Sequence, residues 1–305
     1  MACRHWLLRL LFTGAALAGA GLAIASGPDP DTQSAVWLHA KYVLLADRLQ
    51  HNPFHSGLAL DSSESGKDLK GDIYAVVEYP FGTVSAALDG PEEWCDLMIL
   101  HINTKFCHAR TDARNTILAV SIGRKFAQPL DDAYPLDFLF RVVAEQPAFL
   151  DVQLDARTGP VGTSNYLIRL QAIPIENGRT FLHLTYSYAY GFAGKLAMNT
   201  YLATLGSDKV GFTTTGRQAN GEPGLIGGVR GVVERNTMRY YLAINAYLGG
   251  LAVSPSLRLE HRLQAWFTAS EQYARQLHEV DRTAYLDMKR KEYVRQQTDT
   301  PVHPF

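Results

Sequence analysis

The chain has 305 residues, 29 of them Lys or Arg and 30 Asp or Glu, for a formal charge of −1. That balance, without any long basic run, argues against nucleic acid as a partner, because phosphate binding needs clustered cations. The length suits one large domain with additions or two small ones.

Arg4 and Arg9 precede an apolar run from Leu10 to Ala25, which ends Ala23-Ile24-Ala25 before Ser26. A basic start, a short apolar middle and small residues at the end mark a secretory signal, placed at 1–25. The run is short of the roughly 20 residues that a spanning helix wants, so cleavage is preferred over anchoring. The expected location of the mature chain is the periplasm or the outside of the cell. Cys3 leaves with the signal, and Cys95 and Cys107 remain. An even cysteine count in an exported chain favours a disulfide over free thiols or a metal site.

A helix is predicted from Thr32 to about Gln50, capped by Asp31 or Thr32, with Val36, Ala40, Val43 and Leu44 on one face. Pro53 ends it and separates His51 from His55, which removes the shared helical face that a zinc pair needs. Two paired strands follow around a Ser/Gly/Lys/Asp loop, the second from Asp72 to Tyr79. Phe81, Val84, Ala87 and Leu88 then have the spacing of a short helix.

Asp89 as cap, Pro91 in the first turn, and Glu92 and Glu93 at the positive end of the dipole mark a helix start. Trp94, Leu97, Met98 and His101 keep helical spacing, so a helix is read from Pro91 to about Leu100. Asn103 reverses the chain, and "TKFCHAR" begins a strand. On one straight strand Cys95 and Cys107 would stand roughly 35–40 Å apart. A disulfide needs Cα atoms within about 7 Å. A helix and a returning strand bring the two cysteines together, with His101 and His108 as bystanders.

The next segments read as strands: "NTILAVSIGRKF", "PLDFLFRVVAEQ" and "AFLDVQLDAR". Glu176-Asn177-Gly178 marks the turn of a hairpin. In its second arm Leu182, Leu184, Tyr186, Tyr188 and Tyr190 share one face, opposite His183, Thr185 and Ser187. A short helix at about Lys195 to Leu205 and a strand near Val210 to Thr215 come next. "GLIGGVRG" lacks both the P-loop and the dinucleotide spacing and is read as a hinge or tight approach. "VRGVVERNTMRYYLAINAYL" is a helix with a stripe of Glu234, Met238, Tyr241, Asn245 and Leu248, ended by Gly249-Gly250. From Pro255 a long charged helix or helix pair carries Leu259, Leu263, Trp266, Phe267, Tyr273 and Leu277, to pack on the domain or on a partner.

The passage "AVVEYPFGTVSAALDGPEEWCDLM" resembles the START-like (SRPBCC, Bet v 1-like) superfamily, in which a long strand enters two small helices before the remaining antiparallel strands and a long helix. The resemblance spans about Leu58 to Leu248 and implies an α+β helix-grip fold: a curved antiparallel sheet wrapped around a long helix. The division is then 26–55 as an N-terminal helical extension, 56–250 as the START-like domain and 251–305 as a C-terminal helical extension. The family implies a cavity between sheet and helix that takes lipids, sterols, polyketides or other apolar molecules, and a minority of its members are enzymes.

Three buried tyrosine hydroxyls on one face need partners, which suits a partly wet pocket better than a dry core. The candidate ligand-binding residues are therefore Tyr186, Tyr188 and Tyr190, facing Met238, Tyr241 and Asn245 on the long helix. No catalytic residue, metal or cofactor is assigned, since G-x-S-x-G, H-E-x-x-H and C-x-x-C are all missing. The expected function is exported, non-catalytic binding of a hydrophobic or amphipathic, lipid-like molecule. A cyclase- or hydrolase-type enzyme in the same cavity is the alternative. A third reading is an envelope interaction module, with peripheral membrane or protein contact through the C-terminal helix.

Overall fold

A computed structural model describes residues 34–112, 114–191, 194, 209–218 and 220–298. The expected signal at 1–25 and the helix expected near Lys195 to Leu205 lie outside the described residues.

The chain opens with α1 (Ala35–Leu44) and α2 (Ala46–Gln50), separated at Leu45. The cap is Ser34, whose side chain accepts from the Trp37 amide. The buried face also differs from expectation. Val36, Val43 and Leu44 are exposed, whereas Leu38, Leu45 and Leu49 are buried. Both faces of this short segment carry apolar residues, so periodicity could not choose between them. Aromatic packing decides: Trp37 lies 5.5 Å from His183 and Tyr42 5.1 Å from Phe181, ring centre to ring centre.

Strands β1 (Leu58–Ser65) and β2 (Asp68–Val77) run straight through the stretch expected to be a loop. Gly66, at φ +61°, makes the reversal in two residues, so the pairing extends to Ser65 and Asp68. After β2 come α3 (Phe81–Leu88) and α4 (Pro91–Met98). Gly90, not Asp89, is the N-cap of α4, with Pro91, Glu92 and Glu93 in its first turn. Strands β3 (Thr104–Thr111), β4 (Thr116–Ile122), β5 (Tyr134–Gln146), β6 (Phe149–Thr158), β7 (Thr163–Ile175) and β8 (Arg179–Tyr190) complete an eight-stranded sheet. Its order is β1-β2-β8-β7-β6-β5-β4-β3, antiparallel throughout. The β7–β8 hairpin turns at Glu176–Gly178, where Asn177 and Gly178 take positive φ.

The hairpin β9 (Thr214–Arg217) and β10 (Pro223–Leu225) precedes the long α5 (Gly228–Gly249). The strand expected near Val210 to Thr215 thus starts four residues later. Helices α6 (Pro255–Glu271), α7 (Ala274–Leu277) and α8 (Arg282–Thr298) close the chain. One core joins every strand of the large sheet to α3–α8, and a second, smaller core lies under α1 on the sheet's other face. The alternation on β8 is as predicted: Leu182 to Tyr190 enter the main core, and Phe181 the smaller one.

Helix α5 lies across β2 and β1, in contact with β8 as well. Gly71 on β2 permits the approach, since a Cβ there would stand 2.2 Å from Thr237 Oγ1. Buried Glu234 fastens both sides of the helix. It accepts from Ser62 Oγ on β1 (2.5 Å) and from the Phe212 and Thr213 amides (2.5 and 3.0 Å). "GLIGGVRG" is a tight approach, with a Cβ at Gly231 only 3.1 Å from the Gly211 nitrogen.

Leu263, Trp266, Phe267 and Leu277 are buried in the main core, so these apolar residues pack on the domain. Helix α8 clamps the turn between α4 and β3. Tyr285 Oη donates to the Leu100 carbonyl (2.8 Å), and Lys289 Nζ to those of His101 (2.7 Å) and Thr104 (2.6 Å).

Cys95 on α4 and Cys107 on β3 form a disulfide, with Cα atoms 5.2 Å apart. The loop it closes spans 12 positions. Removing it with Cys95→Ser/Cys107→Ser should cost about 3 kcal/mol in the chain-entropy model. Urea unfolding measures this, and equal midpoints for both proteins would show that the link contributes nothing.

Candidate functional site

A cavity of about 310 Å³ lies between the concave face of the sheet and the first half of α5. Alternation along β8 aims Tyr186 and Tyr188 into it, and β7 adds Tyr166. Ile122 of β4 with Leu136 and Phe138 of β5 form the wall on the other side of the sheet's curve. From α5 the lining residues are Val232, Arg235, Asn236, Arg239 and Tyr240, one face of the helix at i, i+3, i+4, i+7 and i+8.

The tyrosines form a connected aromatic wall. Tyr166 stacks on Tyr188 at 5.3 Å, and Tyr186 lies 5.6 Å from Tyr188 and 5.3 Å from Tyr240. Tyr166 donates to Thr163 Oγ1 (3.0 Å), and Tyr186 is hydrogen-bonded to Asn236. Burial raises the pKa of each of these four phenols, so their hydroxyls stay protonated.

Beside this wall the lining is polar and positive. Lys125 and Arg239 share the Glu279 carboxylate, each at 2.6 Å. Arg235 is 1% exposed. Its guanidinium donates to the Val210 carbonyl at 3.2 Å and to no carboxylate among the described residues. No Asp or Glu lines the cavity among those residues. His101 completes this side, with its ring stacked 4.6 Å from Tyr240. Its Nδ1 accepts from the Asn103 amide (3.2 Å), so in the neutral ring Nε2 carries the proton, and Nε2 has no partner. Burial, then the charges of Arg239, Lys289, Lys125 and Lys105, hold the imidazole well below its ordinary pKa.

Of the residues expected to meet a ligand, the structure brings Tyr186 and Tyr188 together in the cavity and leaves the other four outside its lining. Tyr190 extends to the sheet edge, where its hydroxyl donates to Glu64 (3.0 Å). Met238 is packed in the core. Tyr241 and Asn245 are hydrogen-bonded to each other on a neighbouring face of α5, so Asn245 is a satisfied amide. The reason is rotational. Tyr240 faces Tyr186, and the stripe through Glu234, Met238 and Tyr241 belongs to another buried side of the helix. His101, expected to be a bystander, is part of the cavity wall. His108 lies elsewhere, in a separate cleft beside the disulfide. Among the described residues no cluster of His, Cys, Asp or Glu is arranged to hold a metal ion.

An antiparallel sheet curved so that β4, β5, β7 and β8 all face one long helix across a cavity decides the architecture. The fold is the START-like helix grip. No family model matches the chain, and no curated protein sequence does. Solved structures similar to it include norcoclaurine synthase from Thalictrum flavum, at 12% identity and a TM-score of 0.32, over 48% of this chain and 88% of that one. A START superfamily protein from Mycobacterium smegmatis is 14% identical at a TM-score of 0.30, over 45% and 92%. Zhui aromatase/cyclase from Streptomyces sp. R1128 is 12% identical at 0.32, over 70% and 99%. Strand order and the packing of the sheet on α5 define the helix grip.

His101 also sets a pH dependence. Its folded pKa is depressed while the unfolded imidazole titrates near 6.5, so the unfolded chain binds the extra proton and stability falls as pH drops below about 6.5. Urea midpoints from pH 8 to 5 should therefore fall more steeply for the wild type than for His101→Gln. Parallel curves would show that His101 is not held neutral.

Proposed function

We propose that the mature chain is an exported, non-catalytic protein that takes an apolar or amphipathic small molecule into this cavity, for carriage within the cell envelope. The supporting observation is a cavity with an aromatic wall and placed polar groups beside it, the usual make-up of a ligand site. Ligand pockets run from about 300 to 1,000 Å³. A volume of about 310 Å³ favours a compact ring system or a single chain over a two-chain lipid.

Burial holds the phenols of the lining protonated, so they present hydrogen-bond donors to a ligand. Export is supported by the basic-then-apolar stretch at 1–25 and by the Cys95–Cys107 disulfide, a bond that persists in oxidising compartments.

Native mass spectrometry of the purified protein, followed by solvent extraction, tests the reading. One apolar or amphipathic molecule per chain is expected, and Leu136→Trp, which fills the cavity, should lose it while keeping cooperative thermal unfolding. Wild-type protein that stays empty across a panel of fatty acids, sterols and aromatic compounds would contradict it.

A further inference from the structure

Resting on this reading, we infer that the ligand carries a compact anionic group, of the carboxylate class, which Arg235 binds at the positive side of the cavity. Two observations converge. The first is the state of Arg235 itself. A guanidinium has five N–H donors and a permanent charge. Here it is buried, with one backbone carbonyl as its hydrogen-bond acceptor among the described residues, at 3.2 Å. A buried cation without a counter-ion is costly, and such charges are ordinarily paired. The nearby cations follow that rule, with Arg239 and Lys125 on Glu279 and Lys105 and Lys289 on Glu292.

The second observation is His101, also in the lining, whose Nε2–H is buried and unpartnered. An oxyanion accepts hydrogen bonds from both groups and neutralises Arg235, while the apolar body of the ligand lies on Tyr166, Tyr186 and Tyr188. Tyr188 and Arg235 both line the cavity. No other described group in the lining offers Arg235 an anion, and a neutral ligand would leave its charge uncompensated.

The test compares matched probes by isothermal titration: 2-naphthoate against 2-naphthylmethanol, and decanoate against decanol. The wild type should prefer each carboxylate by on the order of tenfold or more, since a charge-assisted hydrogen bond exceeds 1.4 kcal/mol. Arg235→Leu should erase the preference by weakening carboxylate binding, and Arg235→Lys should restore part of it. The ligand-free Arg235→Leu protein should also melt higher than the ligand-free wild type, because an unpaired buried charge has been removed. Equal binding of acid and alcohol by the wild type would overturn the inference and leave the cavity reading intact. A preference that survives Arg235→Leu, or a lower melting temperature for that variant, would overturn it too by making Arg235 structural. Failure of all four probes to bind would sink the cavity reading, and the inference with it.

Discussion

Helix α5 is buried on almost every side and yet carries Glu234, Arg235 and Arg239 in its first half. A helix in that position must satisfy charged groups without water, and much of the surrounding chain is arranged around this need. Glu234 draws in β1 and the Phe212–Thr213 backbone, and Arg239 takes Glu279 from the segment between α7 and α8. Arg235 is left facing a cavity. The sheet can close on the helix because Gly71 clears space for Thr237 at the crossing.

The C-terminal helices belong to the same scheme. They bury an apolar face on the core and hold the α4–β3 turn from outside through Tyr285 and Lys289. That turn presents His101 to the cavity, and the disulfide ties its two flanks together. Lys289, its pKa lowered by burial to about 8, and Lys105 sit on Glu292 and on backbone carbonyls. The polar side of the cavity is thus built from the two ends of the core rather than from the sheet.

Much of this was legible in the sequence wherever one periodicity dominated. Period-two alternation placed Tyr186 and Tyr188 on the inner face of β8, and Asn177-Gly178 placed its turn. Pro91 followed by acids placed α4, and the return of the chain at Asn103 allowed the Cys95–Cys107 pairing. Legibility failed where an element is buried on two faces or apolar on both. On α5 every phase of the helix contains core residues, so the stripe through Met238 and Tyr241 masked the one through Val232, Asn236 and Tyr240. On α1 the exposed Val36, Val43 and Leu44 concealed the true contact made by Trp37, Leu38 and Tyr42. Tyr166 and His101 gave no local signal at all, because their roles come from strand pairing and from a turn clamped by residues far along the chain. For Arg235, the available clue was its spacing of four from Arg239, on the face that carries Val232, Asn236 and Tyr240.

The central claim is that the space between α5 and the sheet holds an amphipathic molecule with its charged end on Arg235. A crystal structure of the protein grown with 2-naphthoate addresses it most directly. The account predicts the ring against Tyr166, Tyr186 and Tyr188, with the carboxylate within about 3 Å of the Arg235 guanidinium, ordinary hydrogen-bond range. A naphthoate bound elsewhere, or seated in the cavity with its carboxylate turned away from Arg235, would contradict it.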